Sequence, residues 1–184
     1  MQDILIPQHI SRRAFYSAPF ILMDAIVGFY LGPHYYRISS LMVCLFFTTL
    51  LHWNKVMTWE KGHIKKIDIV LASTSILSLH LIEKHHFVSP YREIWNATFW
   101  LTCFLFLMNE TLFYFQIYRY SLDKSTREPK KYHYFSLAVS APQTQYREYC
   151  YYRNVYTHMA VVHMLPATMS AYCAIMSSYN SPAF

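Results

Sequence analysis

Asp24, Thr48, His52, Asp68, Asn109, Glu110, His158 and His163 stand inside stretches of the sequence that are otherwise apolar. An ionisable side chain in lipid is costly unless it faces a partner or water, so residues of this kind mark where chemistry can happen. The types present, imidazole, carboxyl and hydroxyl, are those of proton transfer and metal ligation. No Lys or Arg lies in the same stretches to neutralise Asp24, Asp68 and Glu110. Compensation must come from protonated histidine, protonation of the carboxyls, water, a bound cation or a basic residue of another subunit. Thermodynamics therefore favours a cluster over scattered residues.

The elements that hold these residues follow from where charge is missing. The chain is 54% apolar and 14% charged over 184 residues, where a soluble domain carries nearer about a quarter charged. Residues 18–36 carry one charge (Asp24), 38–54 none, 67–82 one (Asp68), 94–118 one (Glu110) and 154–178 none. A bilayer core of roughly 30 Å takes about 17–25 helical residues. The pattern predicts an all-α fold, a polytopic membrane helix bundle of five transmembrane helices forming a single domain over 1–184, with a basic loop at 119–153. A soluble bundle would need polar stripes at helical period, and the runs at 41–51 and 99–115 lack them.

Charge gives the orientation. One side collects Arg12, Arg13, Lys55, Lys61, Lys65, Lys66, Arg119, Lys124, Arg127, Lys130, Lys131, Arg147 and Arg153, thirteen in all, and the other only Arg37, Lys84 and Arg92. The positive-inside rule puts the N-terminus on the cytosolic side, or the matrix side of a mitochondrion. In that arrangement the ionisable residues fall in the half of the bilayer next to the basic loops, and His80 lies on the far side with His85 and His86. Anionic headgroups account for the basic balance, and no aromatic and basic platform outside the spans calls for nucleic acid. The stretch 132–154 is tyrosine-rich and amphipathic, suited to lie along the interface. Four cysteines form no CxxC pair and read as packing residues.

The spacing Thr48-x3-His52, then Asp68, then paired histidines in the last helix, resembles the superfamily that joins alkaline ceramidases with adiponectin- and progestin-receptor-like membrane proteins. The run LLHWNKVMTWEKGHIKKIDIVLA (50–72) is similar to small relatives in protists and large viruses. The resemblance implies a zinc ion held by His52, His158 and His163, with Thr48 in the serine position and Asp68 in the aspartate position around the metal-bound water. Three histidines leave a fourth position open, which lowers the pKa of bound water to about 7 for attack on an amide or ester. In this chain threonine stands for serine, five spans for seven, and the last two histidines are five residues apart. In an α-helix such residues point roughly 140° from each other, so sharing a metal requires a distorted helix. Pro166, which has no N–H to give Val162, supplies a reason for distortion.

Two functions stay open on sequence. The shortness of the chain, its many Tyr and Phe residues and the altered motif put first an accessory or structural subunit of a larger membrane complex. Such a subunit suits the mitochondrial inner membrane and a respiratory-chain assembly, with the lipid bilayer and other membrane subunits as partners. The alternative is a zinc-dependent intramembrane lipid amidohydrolase of ceramidase-like type. A haem held by His52 and His163 is a weaker option, and 3 glycines cannot build a phosphate loop.

Overall fold

The computed structural model describes residues 5–57, 62–126 and 143–180. Every element among them is helical: α1 (Gln8–Ser11), α2 (Ala18–Leu31), α3 (Tyr36–Asn54), α4 (His63–Leu81), α5 (Tyr91–Thr126), α6 (Gln143–His158) and α7 (Leu165–Asn180), with short 3₁₀ turns between some of them and a π-helix at Met159–Met164 joining α6 to α7. The elements assemble into five rods, one for each apolar window. Three are long and apolar enough to cross a membrane: Gln8–Leu31 with 24 residues, Tyr91–Gln116 with 26 and Arg147–Asn180 with 34. The other two, α3 and α4, have 19 residues each and carry more polar side chains.

Helix ends differ from the apolar windows wherever backbone chemistry overrides hydropathy. The window at 18–36 breaks at Gly32, whose φ of 115° belongs to the left-handed region and ends α2 at Leu31. A 3₁₀ turn over Pro33–Tyr35 then leads into α3. At the other extreme, α5 continues past residue 118 to Thr126 and α6 begins at Gln143, so both helices extend into the stretch read as a basic loop. Lys, Arg, Glu and Gln are good helix formers, and hydropathy marks where lipid contact ends and not where a helix ends. The middle of that loop, 127–142, lies outside the described residues.

The rods alternate in direction, and contacts at their ends show it. At one end the Leu5 N–H bonds to the Val56 carbonyl at 2.9 Å, Arg12 Nε donates to Asn54 Oδ1 at 3.0 Å, and His9 approaches Glu148 at 3.8 Å. At the other end Arg37 meets Glu83 at 2.6 Å, the His34 and His86 rings lie 4.9 Å apart, and the Val88 N–H bonds to Ser177 Oγ at 3.1 Å. The N-terminal segment, the end of α3 and the start of α6 thus share one end, and the α2–α3 turn, the α4–α5 connection and the end of α7 share the other. Among the described side chains, Arg12, Arg13, Lys55, Lys65, Lys66, Arg147 and Arg153 belong to the first end, and Arg37, Lys84 and Arg92 to the second.

Packing places α2 against both α3 and α7, α3 against α4, and α5 against α6 and α7. One apolar core joins Ile21, Ala25, Met42, Leu79, Trp95, Phe99 and Cys173, and a second gathers Ile10, Trp53, Phe113, Tyr151 and Val155 at the basic end. Cys150 is buried in the same basic-end region, consistent with a packing role.

Candidate functional site

Asp68 enters from the second turn of α4 and meets the last turns of α3. Thr49 Oγ1 donates to Asp68 Oδ1 at 2.9 Å, and Thr48 Oγ1 approaches the same oxygen at 3.0 Å. Thr48 divides its single proton between that carboxylate and the Leu45 carbonyl at 3.1 Å, the usual back-bond of a helical threonine. Thr49 gives its proton to the carboxylate alone and is buried. Asp68 itself is buried, and a carboxylate withdrawn from water needs donors of this kind.

One turn further along α3, His52 is buried beside Trp53, their rings 5.2 Å apart. Trp53 is the shared neighbour of all three histidines, with His158 at 4.9 Å and His163 at 6.4 Å from its ring. His158 and His163 are themselves edge to face at 5.2 Å. That contact depends on the π-helix over Met159–Met164, because bonding from residue i to i+5 stacks positions five apart, where an α-helix would splay them. The break sits where the sequence predicts it. Pro166 follows two residues after the π segment and offers no N–H to the Val162 carbonyl, so the helix widens instead of leaving that turn tight.

Each ring of the pair has a polar group beside its Nδ1. Ser17 Oγ lies 2.7 Å from His163 Nδ1 and 2.8 Å from the Ala14 carbonyl. Glu110 Oε1 stands 3.8 Å from His158 Nδ1, while Asn154 Nδ2 donates to the same carboxylate oxygen at 3.2 Å. Asn109 Nδ2 reaches the Asn154 carbonyl at 3.4 Å, closing the α5–α6 side. A carboxylate or hydroxyl on the outer nitrogen of a histidine is the support that metal-ligating imidazoles have.

Lys65 lies in the first turn of α4, which begins at His63, four residues before the apolar window. Thr48, His52, Asp68, His158 and His163 are thus brought to one region near the basic end. Asp24 is elsewhere, two turns deeper with Ser170, and His80 stacks on Phe99 at 3.7 Å toward the far end. Sequence reasoning missed Ser17, Thr49, Trp53, Lys65 and Asn154. Asn154 had a legible signal, a polar residue one turn before His158; Thr49 had its position beside Thr48.

Among the described residues no three His, Cys, Asp or Glu side chains close on a single ion position as they are placed. The donor types nonetheless suit zinc: two adjacent imidazoles, each with a polar group beside Nδ1, and a third imidazole across their common Trp53 neighbour. Comparison of the chain with protein-family models, curated proteins and solved structures finds no match.

Proposed function

We propose that all five rods cross the bilayer, with the basic end on the cytosolic or matrix side, and that the cluster at that end is a zinc site for hydrolysing an amide or ester bond of a lipid. The observation that carries this reading is the π-helical register that joins His158 to His163 across five residues. A π turn is the local signature of one extra residue in an α-helix, and such turns concentrate at functional sites. It makes a five-residue spacing equivalent to the four-residue spacing of the family that the sequence resembles. His158 and His163 would hold the metal through Nε2, with His52 as the third ligand. When bound, zinc would supply a water acidic enough to act as nucleophile near neutral pH and would polarise the lipid carbonyl.

The chain's own residues support the remaining roles. Asp68 Oδ1 is occupied by the threonine hydroxyls, which fixes the carboxylate and leaves Oδ2 to take the proton of the attacking water. Glu110 and Ser17 stand beside Nδ1 of the two ligand rings, where they would orient them. The test is zinc content and turnover of a fluorescent lipid amide, measured on the purified protein in detergent. Asp68→Asn should keep zinc and lose turnover, whereas His163→Ala should lose both. A chain without zinc and without turnover contradicts the reading.

A second reading, an accessory subunit of a membrane complex such as those of the mitochondrial inner membrane, draws on the outer face of α5. Trp100, Phe104, Leu107 and Tyr114 stand exposed there, a surface that another subunit can cover as well as lipid can. Blue-native gels separate the two, since a subunit co-migrates with a large complex and a free-standing hydrolase runs as a monomer or small oligomer.

A further inference from the structure

Two levels of polar contact join α2 to the last rod. Ser17 meets His163 at the first, and Asp24 and Ser170 line one cavity at the second, each seven residues further along its own chain segment. Seven residues are about two helical turns or roughly 10 Å, so the second level is a separate place deeper in the bundle. A cavity of about 10 Å³ lies there, which is room for one water-sized occupant. Its polar side chains are Asp24, Ser39, Ser170 and Tyr35, and the rest of its wall is apolar apart from Gly28.

Three observations show a cavity built for an occupant. Ser39 is 1% exposed, yet its Oγ has no hydrogen-bond partner. That atom is directed at Gly28, because a Cβ added to Gly28 would collide with it, and both residues line the cavity. Asp24 is buried in the wall beside Ser170, and no Lys, Arg or His is among the residues around the cavity. A compact cation that takes oxygen ligands would answer both an unpaired hydroxyl and a buried carboxyl with no cationic neighbour on one small space, by holding the carboxyl ionised and engaging the hydroxyl oxygen.

We propose that Asp24, Ser39 and Ser170 form a binding site for a single dehydrated sodium ion between α2, α3 and α7. The ligand atoms are hard oxygens, which suit an alkali cation and not a soft transition metal. The volume admits one bare ion and no hydration shell. Binding links three rods through one charge, so the ion stabilises the bundle independently of the histidine cluster.

Thermal unfolding of the detergent-purified chain tests the site, with sodium chloride compared against choline chloride at equal ionic strength. The melting midpoint should rise saturably with sodium, by about 4 °C or more at the plateau, and stay flat in choline. Asp24→Asn should abolish the response. Ser39→Ala, a milder change, should raise the half-saturating sodium concentration several-fold. Equal midpoints in the two salts, or a sodium response that survives Asp24→Asn, would overturn the proposal and leave the cavity to water.

Discussion

His158 and His163 lie edge to face with ring centroids 5.2 Å apart, although five residues separate them in sequence. An α-helix cannot make that contact, and the π turn over Met159–Met164 makes it. The same turn sets the facing of everything after it, including Ser170 on the α2 side.

The π register itself can be tested by deletion. Removing Ala160, an exposed residue within the turn, should convert the segment to regular α-helix with the histidines four apart and still adjacent. The variant should fold with a midpoint near that of the wild type. A one-residue deletion in the middle of α7 has no π turn to absorb it, and should rotate one half of the helix by about 100° and unfold the bundle. If both deletions behave alike, the π turn is not what sets the register.

The two threonines on Asp68 should differ in value. Thr49→Val removes the undivided, fully buried donor and should cost about 2 kcal/mol, whereas Thr48→Val removes a proton already shared with the Leu45 carbonyl and should cost less than about 1 kcal/mol. Denaturant titration of each variant in detergent compares them. The opposite order would mean that Thr48 is the main support of the carboxylate.

At the far end, Glu83 is 1% exposed and its carboxylate rests on Arg37 at 2.6 Å. Arg37→Ala strands a buried charge and should destabilise by about 2–3 kcal/mol, and adding Glu83→Gln to it should restore a good part of the loss. A double variant no better than Arg37→Ala would show that packing of the arginine stem, and not the charge, holds this end.

Topology is open to labelling at two exposed tyrosines, Tyr16 at 71% and Tyr179 at 82%. Single cysteines placed there, in a chain freed of its own, should react with an impermeant maleimide from opposite faces of the membrane, Tyr16 on the basic side. Reaction of both from one face would remove a crossing from the five-span arrangement.

Much of this architecture was legible in the sequence because lipid is a harsh filter. Five windows of low charge match five helical rods, and the lopsided distribution of Lys and Arg matches the end at which the N-terminal segment meets α3 and α6. The cost of leaving ionisable groups alone pointed to the basic end, where the three histidines neighbour Trp53 and Asp68 meets the α3 threonines. Other features depend on atoms that a residue pattern does not carry. Gly32 and Lys65 sit where helices stop and start by backbone chemistry and not by hydropathy. Ser17 matters through its contact with His163, 146 residues away in sequence, which only the packing of the first rod on the last reveals. The π turn needed both Pro166 and the packing around it.

The support of the ligand rings gives a graded forecast. Ser17→Ala removes the hydroxyl in contact with His163 Nδ1 and should weaken zinc affinity by about 10-fold to 100-fold without abolishing it. Glu110→Gln should act in the same range through His158. Affinities from competition with a zinc-responsive dye would show the grading, and no change in either variant would mean these contacts do not serve a metal.

Elemental analysis of the purified membrane protein tests the proposal that His52, His158 and His163 are the ligands of one zinc ion. The wild type should carry about one zinc per chain after dialysis, and His163→Ala should lose that zinc while the helical circular-dichroism spectrum is retained. Wild-type protein that is folded yet carries no zinc, and takes none up when it is supplied, would contradict it.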